Sequence, residues 1–418
     1  MEEDIRTERK NTLSLHKNKL VQERLSEAID KAQEILNYEA AHNTEIIEAL
    51  HIVKKFIQTQ KRICYGGTAM NALLPKKDKF YDPDYDLPDY DFLTPDGEKD
   101  LDELLHMFKG AGYTNVHNKI GIHDGTMKLL VNYYPVADIT MIHKNIYDVL
   151  IKESKAIDGI HYANEHVLRM MMFLELSRPR GEIERWKKVF ERLELINKHF
   201  KFKKCTKKHH KKNVPLEIRE KILNFLVTQQ RVLVNLDLES IYKYSLTHKD
   251  VSYKVLPKGG PMFFYSPDIK KDALYLKEML DIKSLKLMYY KDKDDYLPSR
   301  IRIVYDGIEI AILIHEDSCN SYNNVPTLKN KVLRIATLET IIHLFYSFYF
   351  FTNGGSEKPY LCDIGKCVDL FYDIAESKTS IFKPFSVSCS GYQKGYPTLL
   401  HEKIERIKKK KNSTLKKK

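Results

Sequence analysis

Between Thr44 and Lys61 apolar residues recur at helical spacing, with Ile46, Ile47, Leu50, Val53 and Ile57 on one side, and this predicts a helix. Upstream, residues 1–50 are polar and helix-favouring. Leu20, Leu25, Ile29, Ile35 and Leu36 form an incomplete apolar stripe there, so one or two helices packed on the outside of the next domain are expected. The 44–61 helix delivers the chain to a short apolar strand at Ile63. Further on, Thr94-Pro-Asp-Gly97 reads as a turn and Leu101 to Phe108 as a helix ended by Gly110 and Gly112. Thr126 to Tyr133 and Val136 to Ile142 alternate as two strands, joined by a tight connection at Tyr134-Pro135. Asn164 caps an apolar helix through Leu176, and Ser177-Arg-Pro-Arg-Gly181 breaks it. In the helix that follows, Ile183, Trp186, Val189, Phe190, Leu193 and Ile196 are at core spacing, and Trp186 reads as packing rather than base stacking.

The second half echoes the first. Arg300 to Glu316 resembles Met127 to Lys144, and aligning Ile314-His315 with Ile142-His143 puts Ile310 where Asp138 stands. Lys258-Gly-Gly-Pro261 echoes an earlier double glycine without the acids that follow it there. A degenerate repeat is the reading, with chance similarity between two hairpins as the alternative. Helices from Leu328 to Phe351 and from Asp363 to Glu376 are expected to close this half. The resulting division is 1–50 helical, 51–200 catalytic, 201–215 a basic linker, 216–400 the degenerate repeat and 401–418 a basic disordered tail.

Charge sharpens the picture. Lys and Arg total 69 against 57 acids, a formal net charge of +12, which favours polyanionic partners. The linker Lys201 to Lys212, with His209 and His210, reads as a solvated loop facing nucleic acid, and the tail from Lys403 as a phosphate-binding or import segment. No run is apolar for long enough to span a bilayer, and Met1-Glu-Glu-Asp-Ile-Arg lacks the order of a signal peptide. A cytosolic protein with no membrane partner is expected. The six cysteines show no C-x-x-C spacing, which predicts free thiols.

The candidate chemistry lies in Ile63-Cys-Tyr-Gly-Gly-Thr-Ala-Met-Asn71 and in Tyr81-Asp-Pro-Asp-Tyr-Asp-Leu-Pro-Asp-Tyr-Asp-Phe-Leu-Thr94. Gly66 and Gly67 suit a strand-to-helix turn whose N–H groups approach a phosphate, and Thr68 and Asn71 fall on the first helical turn. Asp89 and Asp91 alternate in a strand, so both carboxylates share a face. Such a pair resists double ionisation unless a cation sits between them, and Mg²⁺ or Mn²⁺ suits hard oxygen ligands. Asp138, a lone acid in an apolar strand, is the candidate third ligand. Its alternative is a strand-end salt bridge. Asp84 with Asp86 is a second candidate pair, but Leu87-Pro88 interrupts any strand there. Arg178 and Arg180, at a rigid break, are candidates for gripping RNA phosphates, against a solvated turn. The acids do not follow the order of a calcium-binding EF-hand loop.

A Gly-Gly turn, an Asp-x-Asp pair entering a strand and a third Asp on a later strand resemble the nucleotidyltransferase superfamily of template-independent polymerases. Asn164 to Asn197 narrows this: with residues from about 60 to 200, it resembles the catalytic polyadenylate polymerase of large cytoplasmic DNA viruses. The resemblance implies an α+β chain, with a polymerase β-like domain of mixed sheet and flanking helices followed by a degenerate copy unable to hold metal. It implies transfer of AMP from ATP to an RNA 3′-hydroxyl with two Mg²⁺ or Mn²⁺ ions on Asp89, Asp91 and Asp138. The host cytoplasm, with the virion as a second place, would be the location. Charge placement suggests a homodimer. CCA-adding or oligoadenylate-forming activity, and a non-catalytic RNA-binding subunit, are the alternatives.

Overall fold

Helices α1 (Lys19–Ala41) and α2 (Thr44–Gln60) meet at Asn43, whose side chain accepts a hydrogen bond from the Ile46 N–H and so starts α2. The computed structural model describes residues 19–405, apart from 122–124, 206–212, 257–258, 293–295, 328–330, 353–357, 396, 399–400 and 403. Residues 206–212 of the basic linker and most of the tail therefore lie outside the described residues. Among the described residues, no helix is long and apolar enough to cross a membrane.

The apolar face of α2 (Leu50, Val53, Phe56, Ile57) is buried under the first sheet. Helix α1 does not pack as the sequence suggests. Leu25, Ile29, Ile35 and Leu36 are all more than half exposed, so its stripe faces solvent instead of the first domain. Periodicity defines an apolar face but not what covers it.

The first sheet is built from β1 (Ile63–Cys64), β2 (Tyr90–Thr94), β3 (Val116–Ile120), β4 (Thr126–Val131), β5 (Tyr134–Met141), β6 (Lys155–Ile157) and β7 (Ile160–Tyr162), in the order β3-β4-β5-β2-β1-β7-β6. Helices α3 (Gly66–Leu73), α4 (Gly97–Gly110) and α5 (Lys144–Glu153) connect these strands. Helices α6 (Glu165–Leu176) and α7 (Trp186–His199) follow. The β4–β5 turn lies at Asn132 and Tyr133, both with positive φ, while Tyr134 and Pro135 are already in the strand. Ile183 precedes α7 in a short 3-10 turn and is 55% exposed, unlike Val189, Leu193 and Ile196, which are buried.

The second half has helices α8 (Leu216–Thr228), α9 (Glu239–Ser245), α10 (Ile269–Leu280), α11 (Leu338–Phe351) and α12 (Leu361–Glu376). Its strands are β8 (Val232–Leu233), β9 (Met262–Ser266), β10 (Lys286–Tyr290), β11 (Arg300–Tyr305), β12 (Ile308–His315), β13 (Asn320–Pro326), β14 (Val332–Ala336) and β15 (Cys389–Ser390). The order β10-β11-β12-β9-β8-β14-β13-β15 repeats the first sheet and adds one edge strand. The chain is thus α+β with two related mixed sheets.

Side chains repeat too. Arg62 grips Asp100 through Nε and Nη2, both at 2.6 Å, and Arg231 grips Asp272 at 2.7 and 3.1 Å. The Thr94 hydroxyl accepts from the Asp96 N–H as the Ser266 hydroxyl does from Asp268, and each Asp caps the next helix.

Three expectations are corrected here. Ile142 N bonds to Thr94 O as Glu316 N bonds to Ser266 O, so Ile312, not Ile310, stands at the position of Asp138. The repeated Ile-His misleads by two residues, a slip that keeps the same sheet face. Gly259-Gly260 precedes β9 and offers its carbonyls to Arg219, whereas Gly66-Gly67 follows β1, so the two glycine pairs are not equivalent. Residues 332–336 form a strand ahead of α11, because a short apolar run does not by itself distinguish strand from helix.

The two halves meet along α6 and α11. His166 Nδ1 lies 3.3 Å from the Tyr346 hydroxyl, His343 Nδ1 lies 3.2 Å from the Met170 carbonyl, and Ser321 N donates to Ser177 O. Phe173 meets Phe371 of α12 edge-on. Contrary to the free-thiol expectation, Cys205 is bonded to Cys362 and Cys319 to Cys389, each with Cα atoms 5.3 Å apart, while Cys64 and Cys367 are buried free thiols. These partners are 157 and 70 residues apart, beyond the reach of a local spacing rule.

Candidate active site

Just past β1, Tyr65 donates its N–H to the Asp91 carbonyl, and Gly66 turns the chain into α3 with φ +69. A Cβ at Gly66 would lie 2.5 Å from Asp91 Oδ2, so only glycine lets the turn approach the carboxylate this closely. Helix α3 thereby aims its first N–H groups at the place where the acids gather.

Strand β2 pairs in parallel with β5, and Asp91 stands opposite Asp138. Asp89 lies just ahead of the strand, held by the Thr68 hydroxyl, which donates to its carbonyl at 2.6 Å. Lys128, opposite Asp138 on β4, reaches Asp138 Oδ2 at 2.6 Å, so the salt bridge and the placement beside Asp91 occur together. Crowding is visible in the acids' proton affinities. Burial, then Asp89 and Asp138, push Asp91 up to about 8, and burial followed by Asp138 raises Asp89. Asp89 and Asp91 resist carrying both charges, and carboxylate oxygens crowded in this way suit a hard divalent cation.

Asn71 has another task. Its Oδ1 accepts from the Phe80 and Tyr81 N–H groups at 2.9 and 3.2 Å, fixing the turn that lies over α3. Asp82, Asp84 and Asp86 are occupied in a local turn: Asp82 Oδ1 accepts from the Asp84 N–H, and Asp86 Oδ2 accepts from the Asp82 N–H.

Arg180 is exposed, whereas Arg178 lies within electrostatic range of buried Tyr265 and His343 and has an Nε buried without a hydrogen-bond partner. The two arginines at this break therefore face different surroundings. Trp186 donates to the Glu175 carbonyl at 3.0 Å and packs near Phe385.

Sequence reasoning missed a cationic row that starts at the N-cap of α7 and runs along the helix. Lys188 and Arg192 act on Asp89, and Arg185 on Asp91, so the helix turns positive charge toward the acids. Burial, then the charges of Arg192 and Arg185, hold Lys188 below its usual range. The spacing i, i+3, i+7 beside the core positions was the available signal. What it faces is decided by the fold.

In the second half, the residues opposite each other at the places of Asp91 and Asp138 are Phe263 and Ile312, and Pro261 stands for Asp89. That site has no oxygen ligands from these positions.

A glycine turn, two aspartates entering one strand and a third on its parallel neighbour, all on a mixed sheet with flanking helices, are the features by which the first half resembles a nucleotidyltransferase-type domain. Within it, residues 51–182 match the family described as the poly(A) polymerase catalytic subunit. That match covers the segment bearing all three carboxylates. Proteins named as poly(A) polymerase catalytic subunits are similar to the chain. One from Acanthamoeba polyphaga mimivirus is 29% identical over 211 residues, 49% of this chain and 35% of the relative. One from African swine fever virus is 30% identical over 176 residues, 41% of this chain and 37% of the relative. The matches thus span little more than a third of these relatives. The crystal structure of the Megavirus polyadenylate synthase superposes with TM-score 0.76 at 21% identity, covering 96% of this chain and 84% of that one, and so shares its fold.

Proposed function

We propose that this chain is a template-independent poly(A) polymerase that transfers AMP from ATP to the 3′-hydroxyl of RNA. The observation that carries the reading is the placement of Asp91 opposite Asp138, with Asp89 one residue ahead of the strand. Two Mg²⁺ or Mn²⁺ ions held by these residues would neutralise the triphosphate and acidify the attacking hydroxyl.

The chain's own residues do the rest. Gly66 and Gly67 bring α3's N–H groups to the phosphates, Thr68 fixes the Asp89 backbone, and Asn71 fixes the turn above. Arg185, Lys188 and Arg192 supply positive charge on the opposite wall. Arg180, exposed at the end of α6, is an RNA contact in this reading, joined by the linker and the tail. The exposed stripe of α1 gives a homodimer a surface to form on, and a shift of sedimenting mass on replacing Leu25 and Leu36 by Glu would test it. The host cytoplasm is the proposed location, with the virion as a second place.

Primer extension with labelled oligo(A), each nucleoside triphosphate separately and Mg²⁺ or Mn²⁺ tests the activity, beside the double variant Asp89→Ala, Asp91→Ala. A ladder with ATP alone that vanishes in the variant supports the proposal. Addition of CTP, or of a single short tract, would instead favour a CCA-adding or oligoadenylate-forming enzyme. No extension with RNA binding intact would make the chain a binding subunit.

A further inference from the structure

The glycine turn is covered. Asn71 straps down Phe80 and Tyr81, and this brings the Tyr81 hydroxyl against Gly67, where any Cβ would overlap it. The same Cβ would lie 3.1 Å from both terminal nitrogens of Arg192. Arg192 donates to the Tyr81 hydroxyl at 3.2 Å and holds its guanidinium over the Phe80 ring, 4.9 Å from the centroid. Among the described residues, no carboxylate forms an ion pair with Arg192. A half-buried guanidinium thus ends on a neutral phenol, directly above the helix N-terminus and across from the acids. Burial, and then the charges of Arg192 and Arg185, depress Lys188, so cations crowd here as they would where an anion belongs.

We infer that Arg192 takes the terminal phosphate of the incoming nucleoside triphosphate, and that the Tyr81 hydroxyl stands in for a phosphate oxygen over Gly67 until the nucleotide arrives. This rests on the nucleotidyl-transfer reading above. A phosphate oxygen is the better acceptor for a guanidinium, because both partners then carry charge and two parallel N–H···O bonds can form. The Phe80 ring keeps the guanidinium aimed while its partner changes. The Phe80–Tyr81 turn is then the gate of the phosphate cradle, and Asn71 is its hinge pin. Residues that act on the adenine or on the RNA backbone need not be among these.

Equilibrium binding with Mg²⁺ present, using ATP, AMP, inorganic tripolyphosphate and oligo(A) as separate probes, distinguishes the sources of phosphate. Arg192→Gln is expected to weaken ATP and tripolyphosphate about tenfold or more, the loss of one charge-assisted contact. AMP and oligo(A) should stay at wild-type affinity. Arg192→Lys should recover part of the loss. Tyr81→Phe, which removes the competing hydroxyl, should tighten ATP and leave oligo(A) unchanged. Equal losses for AMP and ATP, or a loss confined to oligo(A), would overturn the assignment of Arg192. Weaker ATP binding by Tyr81→Phe would overturn the stand-in role. If the wild type binds ATP and Arg192→Gln binds it as well, this inference alone fails. If the wild type binds no nucleotide, the reading beneath it fails too.

Discussion

Asp91 and Asp138 face each other across neighbouring parallel strands, and the same two positions of the second sheet hold Phe263 and Ile312. One architecture has been used twice, once lined by carboxylates and once by apolar side chains. The acid version is costly to keep without a cation, because burial and like charge raise the proton affinity of Asp91. Replacing Asp91 by Asn should therefore separate activity from stability. Adenylate addition is expected to fall on the order of a thousandfold, several kcal/mol of lost charge stabilisation. The melting temperature without metal should rise at neutral pH. A variant that lost activity and melted lower would mean that Asp91 supports the fold instead of the chemistry.

The same acids predict how metal and pH combine. Asp91 titrates in the folded chain at about 8, above an ordinary carboxylate. The folded state therefore holds a proton that the unfolded state has lost, and metal-free stability declines as pH rises toward 8. Mg²⁺ competes with that proton, so the thermal shift it produces should grow from pH 6 to pH 8. A cation at about 100 times its dissociation constant stabilises by about 2.7 kcal/mol. Differential scanning fluorimetry with and without Mg²⁺, on wild type and on Asp138→Asn, checks this. A shift that persists in the variant, or is flat with pH, would place the cation elsewhere.

Much of this site was legible in the sequence because strand geometry links position to direction. Asp89 and Asp91 two residues apart imply a shared face by their spacing, and Asp138 stands out as a lone acid among apolar neighbours whose burial needs a partner. The partner across the sheet is another matter. Nothing local says that Arg185, Lys188 and Arg192 look toward those acids, that Tyr81 reaches Gly67, or that Cys205 meets Cys362. The stripe on α1 was visible, but its exposure was not, since periodicity is the same whether or not something covers it. The internal repeat was visible and misaligned by two residues. The Asn132-Tyr133 and Asp306-Gly307 turns, with matching positive φ, give the true register.

The two Arg–Asp pairs should show how alike the halves are in energy. Asp100 is fully buried under Arg62, and Asp272 is nearly so under Arg231, with a further bond from the Ser266 hydroxyl. Removing one partner of a buried pair leaves an uncompensated charge and costs about 3–5 kcal/mol. Asp100→Asn and Asp272→Asn are each expected to lower the denaturation midpoint, and the first should reduce activity by loosening the strand that carries Asp91. Chemical denaturation followed by circular dichroism reads the first effect, and primer extension the second. A loss confined to one variant would show that the second half folds as an independent unit.

The seam between the halves should make the protein sensitive to acid. His343, buried between α6 and α11, is lowered to about 3 by burial and then by Arg178, while the Met170 carbonyl pulls the other way. His166 is lowered to about 4 by burial and then Arg169; Glu165 opposes this and Lys155 adds to it. Both rings are neutral in the folded chain where the unfolded chain, with an ordinary pKa near 6.5, would carry charge. The unfolded state then binds more protons, so stability is full above about 6.5 and is lost as pH falls toward the folded values. Over this range Asp91 is already protonated in the folded chain and ionised in the unfolded one, which acts in the opposite sense, so the comparison must be made between variants. Relative to wild type, His343→Gln is expected to flatten the fall in melting temperature between pH 6.5 and 4, because an amide can still donate to Met170 and takes up no proton. His166→Gln should flatten it further when the two are combined. An acid limb unchanged in the double variant would show that the seam opens, and its histidines meet water, before the rest of the chain unfolds.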